Sequence, residues 1–283
     1  MQLYLCEKPS QAKDIAAVLG ARRRGDGCWL GTDVTVTWCI GHLLETAPPD
    51  AYDARYKRWV LADLPIIPDK WKMTVKPRTA SQYKAVKRLL GEADELIIAT
   101  DADREGEMIA RELVEHCRYR GPIRRLWLSA LDDASIRKAL ATLKPGAETF
   151  SLYHSALGRS RADWLIGMNM SRLFTLLGRQ SGYQGVLPVG RVQTPTLRLV
   201  VDRDRSIANF VPVAYWAIDV QLLHDGTAFT AQWRAASEVC DDQDRCLNQA
   251  LAQQAAAAMT GAASARVIKL RTERMREVAP LPF

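Results

Sequence analysis

Three carboxylates occupy alternate positions in one short turn of the chain, at Asp101, Asp103 and Glu105. The turn follows an apolar stretch, residues 95–99, that is typical of a buried strand, and it precedes the amphipathic pattern of a helix over residues 105–117. Like charges this close together repel one another, and a divalent cation is the usual means of neutralising them. The turn constrains fold and chemistry together, because a buried strand that leads directly into a helix is the repeating unit of an α/β sheet.

A second turn of the same kind lies near the N-terminus. Glu7 and Lys8 follow the apolar segment 1–6 and precede a helix for which Ser10 is the expected N-cap. Since ligands of open α/β sheets bind at the carboxyl ends of the strands, we expect the two turns to form one site. Each turn alone is a weak signal, because acidic residues also favour helix N-termini for structural reasons. Their carboxylate oxygens suit Mg²⁺, whose coordination shell is usually completed by water and a substrate phosphate. This indicates phosphoryl chemistry on a nucleotide or nucleic acid.

The composition excludes several other classes of protein. No apolar run approaches the roughly 18 residues of a membrane-spanning helix, and the N-terminus has the pattern of a strand rather than of a signal peptide, which predicts a cytoplasmic protein without membrane contact. The six cysteines lack the spacing of a zinc site and the four histidines are isolated, so neither zinc nor disulfides are expected. The net charge of +7 suits a partner that carries phosphate.

Three segments of different character divide the chain. Residues 1–148 alternate strands and helices, which predicts an α/β domain with a Rossmann-like, largely parallel sheet. Residues 149–212 are helical in pattern and carry eight arginines against three aspartates, which either suits phosphate or forms an ordinary solvated face. Residues 213–283 turn to alternating patterns and are predicted to begin a β-rich domain. Within these segments we expect helices over 150–179 (with possible breaks at Gly158, Gly167 and Gly178), 194–207 and 248–260, strands over 215–223, 228–233 and 264–269, and irregular structure over 48–77.

Several motifs together carry a family resemblance. Residues 7–10 (Glu-Lys-Pro-Ser) and 100–107 (Thr-Asp-Ala-Asp-Arg-Glu-Gly-Glu) resemble a Toprim domain, which topoisomerases, primases and some nucleases share. Residues 185–197 closely resemble the DNA-contacting motif of type IA DNA topoisomerases, and residues 37–45 and 155–167 also fit that family. Because the motifs follow one another in order along the whole chain, the chain resembles the bacterial topoisomerase III branch of this family.

The resemblance implies a role for individual residues. The acidic Mg²⁺ site would consist of Glu7, Asp101, Asp103 and Glu105. Glu7 would also donate a proton to the leaving 3′ oxygen and accept it again on religation, while Lys8 would stabilise the scissile phosphate. Single-stranded DNA would be held by the motif residues Pro188, Val189, Gly190, Arg191, Val192 and Gln193, with Trp59 and Trp164 stacking on bases and Arg172 and Arg179 pairing with phosphates. Trp164 fits a hydrophobic core equally well.

The sequence departs from the family in one respect. The family cleaves DNA with a tyrosine that becomes joined to the 5′ phosphate, and none of the eight tyrosines here matches that motif. Residues 278–283 resemble the lead-in to the domain that carries this tyrosine. We therefore expect the N-terminal part of a longer enzyme, a monomer that binds single-stranded DNA and Mg²⁺ without ATP and does not cleave alone. The alternatives are another Toprim enzyme, either a nuclease or primase-like, and a non-catalytic remnant that binds single-stranded DNA.

Overall fold

The computed structural model describes residues 1–277, so the predicted lead-in at 278–283 lies outside the described residues. By its internal contacts the chain separates into two compact units, Met1–Val201 and Asp202–Phe283. The predicted domain limits at residues 148 and 212 remain predictions.

The strands of the first unit are β1 (Gln2–Cys6), β2 (Arg23–Gly25), β3 (Cys28–Leu30), β4 (Val34–Trp38), β5 (Leu44–Thr46), β6 (Met73–Val75), β7 (Glu95–Ala99), β8 (Ile123–Arg125) and β9 (Lys144–Pro145). Its helices are α1 (Pro9–Val18), α2 (Ala80–Glu92), α3 (Arg104–His116), α4 (Asp133–Leu140) and α5 (Phe150–Gln180), and α6 (Gln193–Ala208) crosses into the second unit. The second unit contains β10 (Asp219–His224), β11 (Thr227–Gln232) and α7 (Gln249–Thr260).

A seven-stranded mixed sheet forms the centre of the first unit, in the order β2-β3-β4-β1-β7-β8-β9. Its four inner strands, β4, β1, β7 and β8, are parallel, and the outer strands β2, β3 and β9 pair antiparallel. Helices cover both faces, with α2 and α3 on one and α1 and α4 on the other. This architecture confirms the predicted α/β fold.

The central strand β1 shows why the sheet is buried on both faces. Leu3 and Leu5 point into the core beneath α2 and α3, whereas Tyr4 and Cys6 point into the core beneath α1 and α4. All four side chains are buried, because a strand that lies between two helical layers has no face toward water. The continuous apolar run of β1 therefore follows from its central position.

The register of the sheet brings the two acidic turns together. Cys6, the last residue of β1, pairs with Ala99, the last residue of β7, and on its other side with Trp38 of β4. Three parallel strands therefore end side by side, and the segments that follow them leave the sheet at one edge.

Helix α5 is continuous over 31 residues, so the predicted breaks at its glycines are wrong. Two of these glycines instead make room for a neighbouring loop. A Cβ atom on Gly178 would lie 2.9 Å from Cδ1 of Leu187, and one on Gly167 would lie 3.3 Å from the carbonyl oxygen of Val189. Gly167 and Gly178 are therefore explained by close packing rather than by a bend, whereas a Cβ atom on Gly158 would meet open space.

Three smaller expectations also need correction. Ser10 is not an N-cap, because α1 already begins at Pro9, whose fixed φ suits the first helical turn. The irregular segment 48–77 contains β6 and short 3₁₀ turns, and residues 264–269 form no strand.

In the second unit, β10 and β11 form a hairpin through Asp225 and Gly226, which have φ values of 49° and 78°. None of the helices within residues 1–277 is both long and apolar enough to span a bilayer.

Candidate active site

The two acidic turns meet through Glu7, Lys8 and Asp101. The Lys8 Nζ atom lies 2.8 Å from Oδ2 of Asp101 and 3.7 Å from Oε1 of Glu7. The Asp101 backbone N–H donates to Oε2 of Glu7 over 3.2 Å, and the Gln11 side-chain amide donates to the other Asp101 oxygen over 3.2 Å. The structure therefore places two carboxylates and one ammonium group at adjoining strand ends.

These contacts shift the proton affinity of the side chains involved. Partial burial, and next the negative charge of Asp101, raise the pKa of Glu7 above the ordinary value for a glutamate. The hydrogen bond and the charge of Asp101 raise the pKa of Lys8, which therefore stays positively charged. A carboxyl group with a raised pKa beside a fixed cation has the properties of a proton donor next to a phosphate-binding group.

The other two predicted metal ligands point elsewhere. Asp103 caps α3, because its Oδ1 atom accepts a hydrogen bond of 2.7 Å from the Gly106 N–H. Glu105 faces a groove, with its carboxylate 3.6 Å from the Arg159 guanidinium and 3.9 Å from Nε2 of His42. The four carboxylates are thus not gathered around one point. Within residues 1–277 no group of three or more His, Cys, Asp or Glu side chains is arranged to hold a metal.

The site offers the type of ligand atom that magnesium prefers, but these atoms are not all directed at one point. Carboxylate oxygens are the ligands that Mg²⁺ prefers. However, Lys8 and Gln11 contact both oxygens of Asp101, and only the Oδ1 atom of Asp103 is used by the helix cap.

A buried arginine that sequence reasoning missed holds the second acidic turn in place. The Arg125 guanidinium donates to the Glu107 carboxylate at 2.5 Å. It also donates to the backbone carbonyls of Ile98 in β7, of Thr100 and Asp101 in the turn, and of Leu126 directly after β8. The second oxygen of Glu107 pairs with Arg111 over 3.2 Å. The side chains of Arg125 and Glu107 are completely buried, so neither charge is compensated by water. Little in the sequence indicated this role, because Arg125 follows another arginine, Arg124, at the end of a strand of three residues.

Gly106 of the same turn has no room for a side chain. A Cβ atom at Gly106 would lie 2.2 Å from the carbonyl oxygen of Asp101, far closer than atoms tolerate. The hydroxyl of Thr100 donates to the Gly106 carbonyl over 2.8 Å and closes the turn. The motif therefore combines possible ligands with residues that only shape the backbone.

A groove of about 440 Å³ lies beside the second acidic turn, which contributes Glu105 to its lining. Its lining includes the cations of Lys76, Arg159 and Arg191, together with His42, Glu112 and Trp164. These cations can attract phosphate oxygens, but the lining also contains the carboxylates of Glu45, Glu105, Glu112 and Asp163, and Arg159 and Arg191 each pair with one of them.

At the floor of the groove, His42 Nδ1 lies 2.9 Å from Oε1 of Glu112. Burial by itself would lower the pKa of His42, but the hydrogen bond and charge of Glu112 outweigh it and raise that pKa above the ordinary value. Burial raises the pKa of Glu112 as well, and its other oxygen has no partner among the described residues. Sequence reasoning had included His42 only as part of the segment 37–45.

The predicted DNA-contacting motif forms a loop that docks on α5. The N–H of Val189 donates to the Ser171 hydroxyl over 2.8 Å, and the N–H of Leu187 donates to the Thr175 hydroxyl over 2.9 Å. These two hydroxyl anchors carry no signal in the sequence, because serine and threonine on a helix are usually solvated.

Arg191, at the rim of the groove, forms a bidentate pair with Asp163 of α5 at 2.9 and 3.2 Å. The Gly190 N–H bonds to the Thr194 hydroxyl over 3.0 Å, while Pro188, Val192 and Gln193 are exposed.

The remaining predicted DNA contacts lie in different environments. Arg172 is buried, with its guanidinium 5.1 Å from the Trp59 ring and one N–H donating to the Tyr56 carbonyl over 2.9 Å. Trp164 is half-buried and lines the groove, and Arg179 is exposed in the last turn of α5. Burial lowers the pKa of Arg172. Its contacts with Trp59 and Tyr56 hold the segment of these two residues against α5.

Comparison with known proteins gives matches along nearly the whole chain. A family model described as a Toprim domain matches residues 2–131, and one described as DNA topoisomerase matches residues 147–283. The DNA topoisomerase 3 of Salmonella typhimurium is 44% identical, with 100% of this chain and 45% of that protein covered. The DNA topoisomerase 3 of Vibrio cholerae is 42% identical, again with 100% and 45% covered. The chain therefore spans about half the length of the curated relatives it matches.

A solved structure supports the fold independently. Full-length topoisomerase I from Thermotoga maritima aligns with a TM-score of 0.58 at 24% identity, covering 90% of this chain and 37% of that one.

Proposed function

Because the chain belongs to the type IA DNA topoisomerase family, with relatives of the topoisomerase III type, we propose that it carries the acidic site and the DNA-binding surface of such an enzyme. The reaction would be cleavage of one DNA strand, passage of a second strand through the break, and religation, without ATP. The observation that supports this most directly is the position of Glu7, Lys8 and Asp101 at adjoining strand ends. A proton donor and a phosphate-binding cation are there within reach of one phosphate.

In this proposal Lys8 moves from Asp101 to an oxygen of the scissile phosphate, which carries a full negative charge. Lys8 is suited to this step because its side chain is 55% exposed and its Asp101 contact lies at the surface. Glu7, whose pKa is raised, donates a proton to the leaving 3′ oxygen and accepts one during religation. Arg125 fixes the Asp101 turn throughout, because it bonds to the backbone there.

We further propose that Mg²⁺ binds at Asp101 and Asp103, with Glu7 and Glu105 as the other family ligands. The bound ion would neutralise charge on the phosphate. Support comes from the donor type and from the second oxygen of Asp103, which the helix cap does not use.

Single-stranded DNA would follow the groove and the docked loop, contacting Trp59, Trp164, Arg172, Arg179, Pro188, Val189, Gly190, Arg191, Val192 and Gln193. Arg191 is the member of this set best placed to bind phosphate, because its guanidinium is half-exposed at the rim of the groove. A phosphate would have to replace Asp163, which presents the same pair of acceptor oxygens. We place the protein in the bacterial cytoplasm as a monomer.

The attacking tyrosine would come from a segment outside residues 1–277. Burial raises the pKa of Tyr83 to about 12, and burial also raises the pKa of Tyr153, whose hydroxyl donates to Glu115 over 2.7 Å. A phenol that is hard to ionise is a poor nucleophile, so neither Tyr83 nor Tyr153 is suited to attack a phosphate.

The proposal is tested by titrating the chain into a labelled single-stranded oligonucleotide at several salt concentrations and following fluorescence anisotropy. R191A should weaken binding and reduce the slope of log K against log salt by about 0.7, the value for one phosphate contact on a single strand. R137A, which removes an exposed arginine on α4, is the matched control and should leave the slope unchanged. An unchanged slope in R191A would contradict the proposed DNA surface.

Denaturing electrophoresis of the same mixtures separates the alternatives. We expect intact DNA and no covalent adduct. A protein–DNA adduct would contradict the proposal that the attacking tyrosine lies outside residues 1–277. Metal-dependent nicking that is lost in D101N and D103N would instead identify a Toprim nuclease.

A further inference from the structure

The second unit contains a pair of cysteines that lies outside the site described above. Cys240 and Cys246 face each other across an isolated antiparallel bridge. The bonds on either side of the bridge run from the Asp241 N–H to the Arg245 carbonyl over 3.1 Å and from the Leu247 N–H to the Val239 carbonyl over 2.9 Å. The flanking residues thus carry the cross-strand bonds, so the cysteines form a non-hydrogen-bonded pair.

This register brings the Cα atoms of the two cysteines within the separation that a disulfide requires. In a non-hydrogen-bonded antiparallel pair the Cα atoms are about 4.5 Å apart and the side chains project from the same face. A disulfide requires Cα atoms about 4.4 to 6.8 Å apart, so the backbone is already placed for one. We propose that Cys240 and Cys246 form an oxidation-sensitive dithiol that closes to a disulfide in the presence of a small-molecule disulfide.

The turn between the cysteines is held independently of them. The Asp241 carboxylate accepts from the N–H groups of Gln243 and Arg245, each over 3.0 Å, and it pairs with the Arg245 guanidinium over 2.7 Å. The guanidinium also lies 4.8 Å from the Tyr215 ring. Because the turn is fixed before any sulfur–sulfur bond forms, closure requires little further ordering.

The two thiols differ in access, which assigns their order of reaction. Cys240 is partly exposed and lines a cavity of about 660 Å³, whereas Cys246 is buried with 3% of its surface exposed. Cys240 attacks the small disulfide, forms a mixed disulfide and releases one thiolate. Cys246 then attacks the Cys240 sulfur and releases the second thiolate. The protein loses two thiol protons and two electrons, and the small disulfide becomes two thiols.

The neighbourhood makes the first step slow at neutral pH. Partial desolvation raises the pKa of the Cys240 thiol, and the other contributors are the Cys246 thiol and the carboxylates of Asp244, Asp241 and Glu238. Since the thiolate is the nucleophile, the exchange should proceed faster as the pH is raised above neutral.

The experiment incubates the full chain with oxidised glutathione at pH 8, blocks remaining thiols with iodoacetamide and analyses tryptic peptides by mass spectrometry. Trypsin cuts between the cysteines and yields peptides 235–245 and 246–266. We expect the two peptides to be linked in most molecules and released by reductant. C117S, which removes a half-buried cysteine of the first unit, is the matched control and should retain the linked pair.

Two variants test the order of attack. In C246S, glutathione should accumulate on Cys240, because no second thiol can displace it. In C240S, Cys246 should not react with oxidised glutathione, and iodoacetamide should alkylate it only after the protein is unfolded. Unlinked peptides in the unaltered chain, or glutathione that persists on Cys240 there, would overturn the proposal. The outcome is independent of whether the chain acts on DNA, because the cysteines belong to neither the acidic site nor the groove.

Discussion

The buried pair of Glu107 and Arg125 offers a quantitative test of how the acidic turn is supported. Glu107→Gln keeps the shape of the side chain and removes its charge, which leaves the buried guanidinium of Arg125 without its ionic partner. Removing one member of a buried ion pair costs about 3–5 kcal/mol. For a unit of this size, 1 kcal/mol corresponds to roughly 2–4 °C in Tm, so differential scanning calorimetry should show a fall of about 6–20 °C.

The matched control is Glu92→Gln on α2, whose carboxylate pairs with Arg88 at 3.4 Å in a position where both side chains are about half exposed. Exposed helical pairs contribute only about 0.3–0.5 kcal/mol, so this variant should melt within about 2 °C of the unaltered chain. Because Arg125 keeps its bonds to the backbone of the turn, Glu107→Gln should still bind single-stranded DNA well below its Tm. If both variants melt alike, the buried network does not stabilise the site.

Two further predictions concern the turn and the groove. Gly106→Ala should lower the Tm and weaken DNA binding, because its Cβ would lie 2.2 Å from the Asp101 carbonyl oxygen, whereas the control Gly91→Ala meets open space and should stabilise α2 by about 0.5–1 kcal/mol. His42→Gln should remove a pH-dependent part of the stability. The raised pKa of His42 implies that this part is complete below the ordinary value of 6.5 and is lost as the pH rises through the folded-state pKa. Between pH 6 and 8 the Tm of the unaltered chain should therefore fall more steeply than that of the variant, and parallel curves would contradict a charged His42–Glu112 pair.

Much of the fold could be predicted, because the parallel strands are short apolar runs between helical patterns. The apolar segment at 1–6 and the predicted strand at 95–99 match β1 and β7 in the structure. The helix after the acidic turn begins at Arg104, one residue before the predicted start. The errors arose where local signals are ambiguous. Gly167 and Gly178 resemble helix breaks in sequence, and only the docking of residues 187 and 189 shows why small residues are needed there.

The meeting of Glu7 and Asp101 was predictable for a related reason. Adjoining parallel strands place their ends together, so two polar turns after two buried strands must approach each other. The partners of the other groups were not predictable in this way. Arg191 and Asp163 are 28 positions apart and His42 and Glu112 are 70 apart, and no periodicity relates them. Such pairs depend on how the segment of His42 packs against α3 and how the loop of Arg191 packs against α5, which is a property of the tertiary structure.

The sequence predicted that a divalent cation offsets the repulsion among the three alternate carboxylates, and the structure shows that protein groups also contact them. Each one has a separate partner, since Asp101 contacts Lys8, Asp103 caps α3 and Glu105 faces Arg159. The fold therefore gives each carboxylate a favourable contact, and a metal that binds there would compete with the ammonium group of Lys8 for Asp101. A substrate phosphate would relieve that competition, because it attracts Lys8 away from the carboxylate. Metal and phosphate binding should therefore favour each other at this site, which makes Lys8 the residue that couples them.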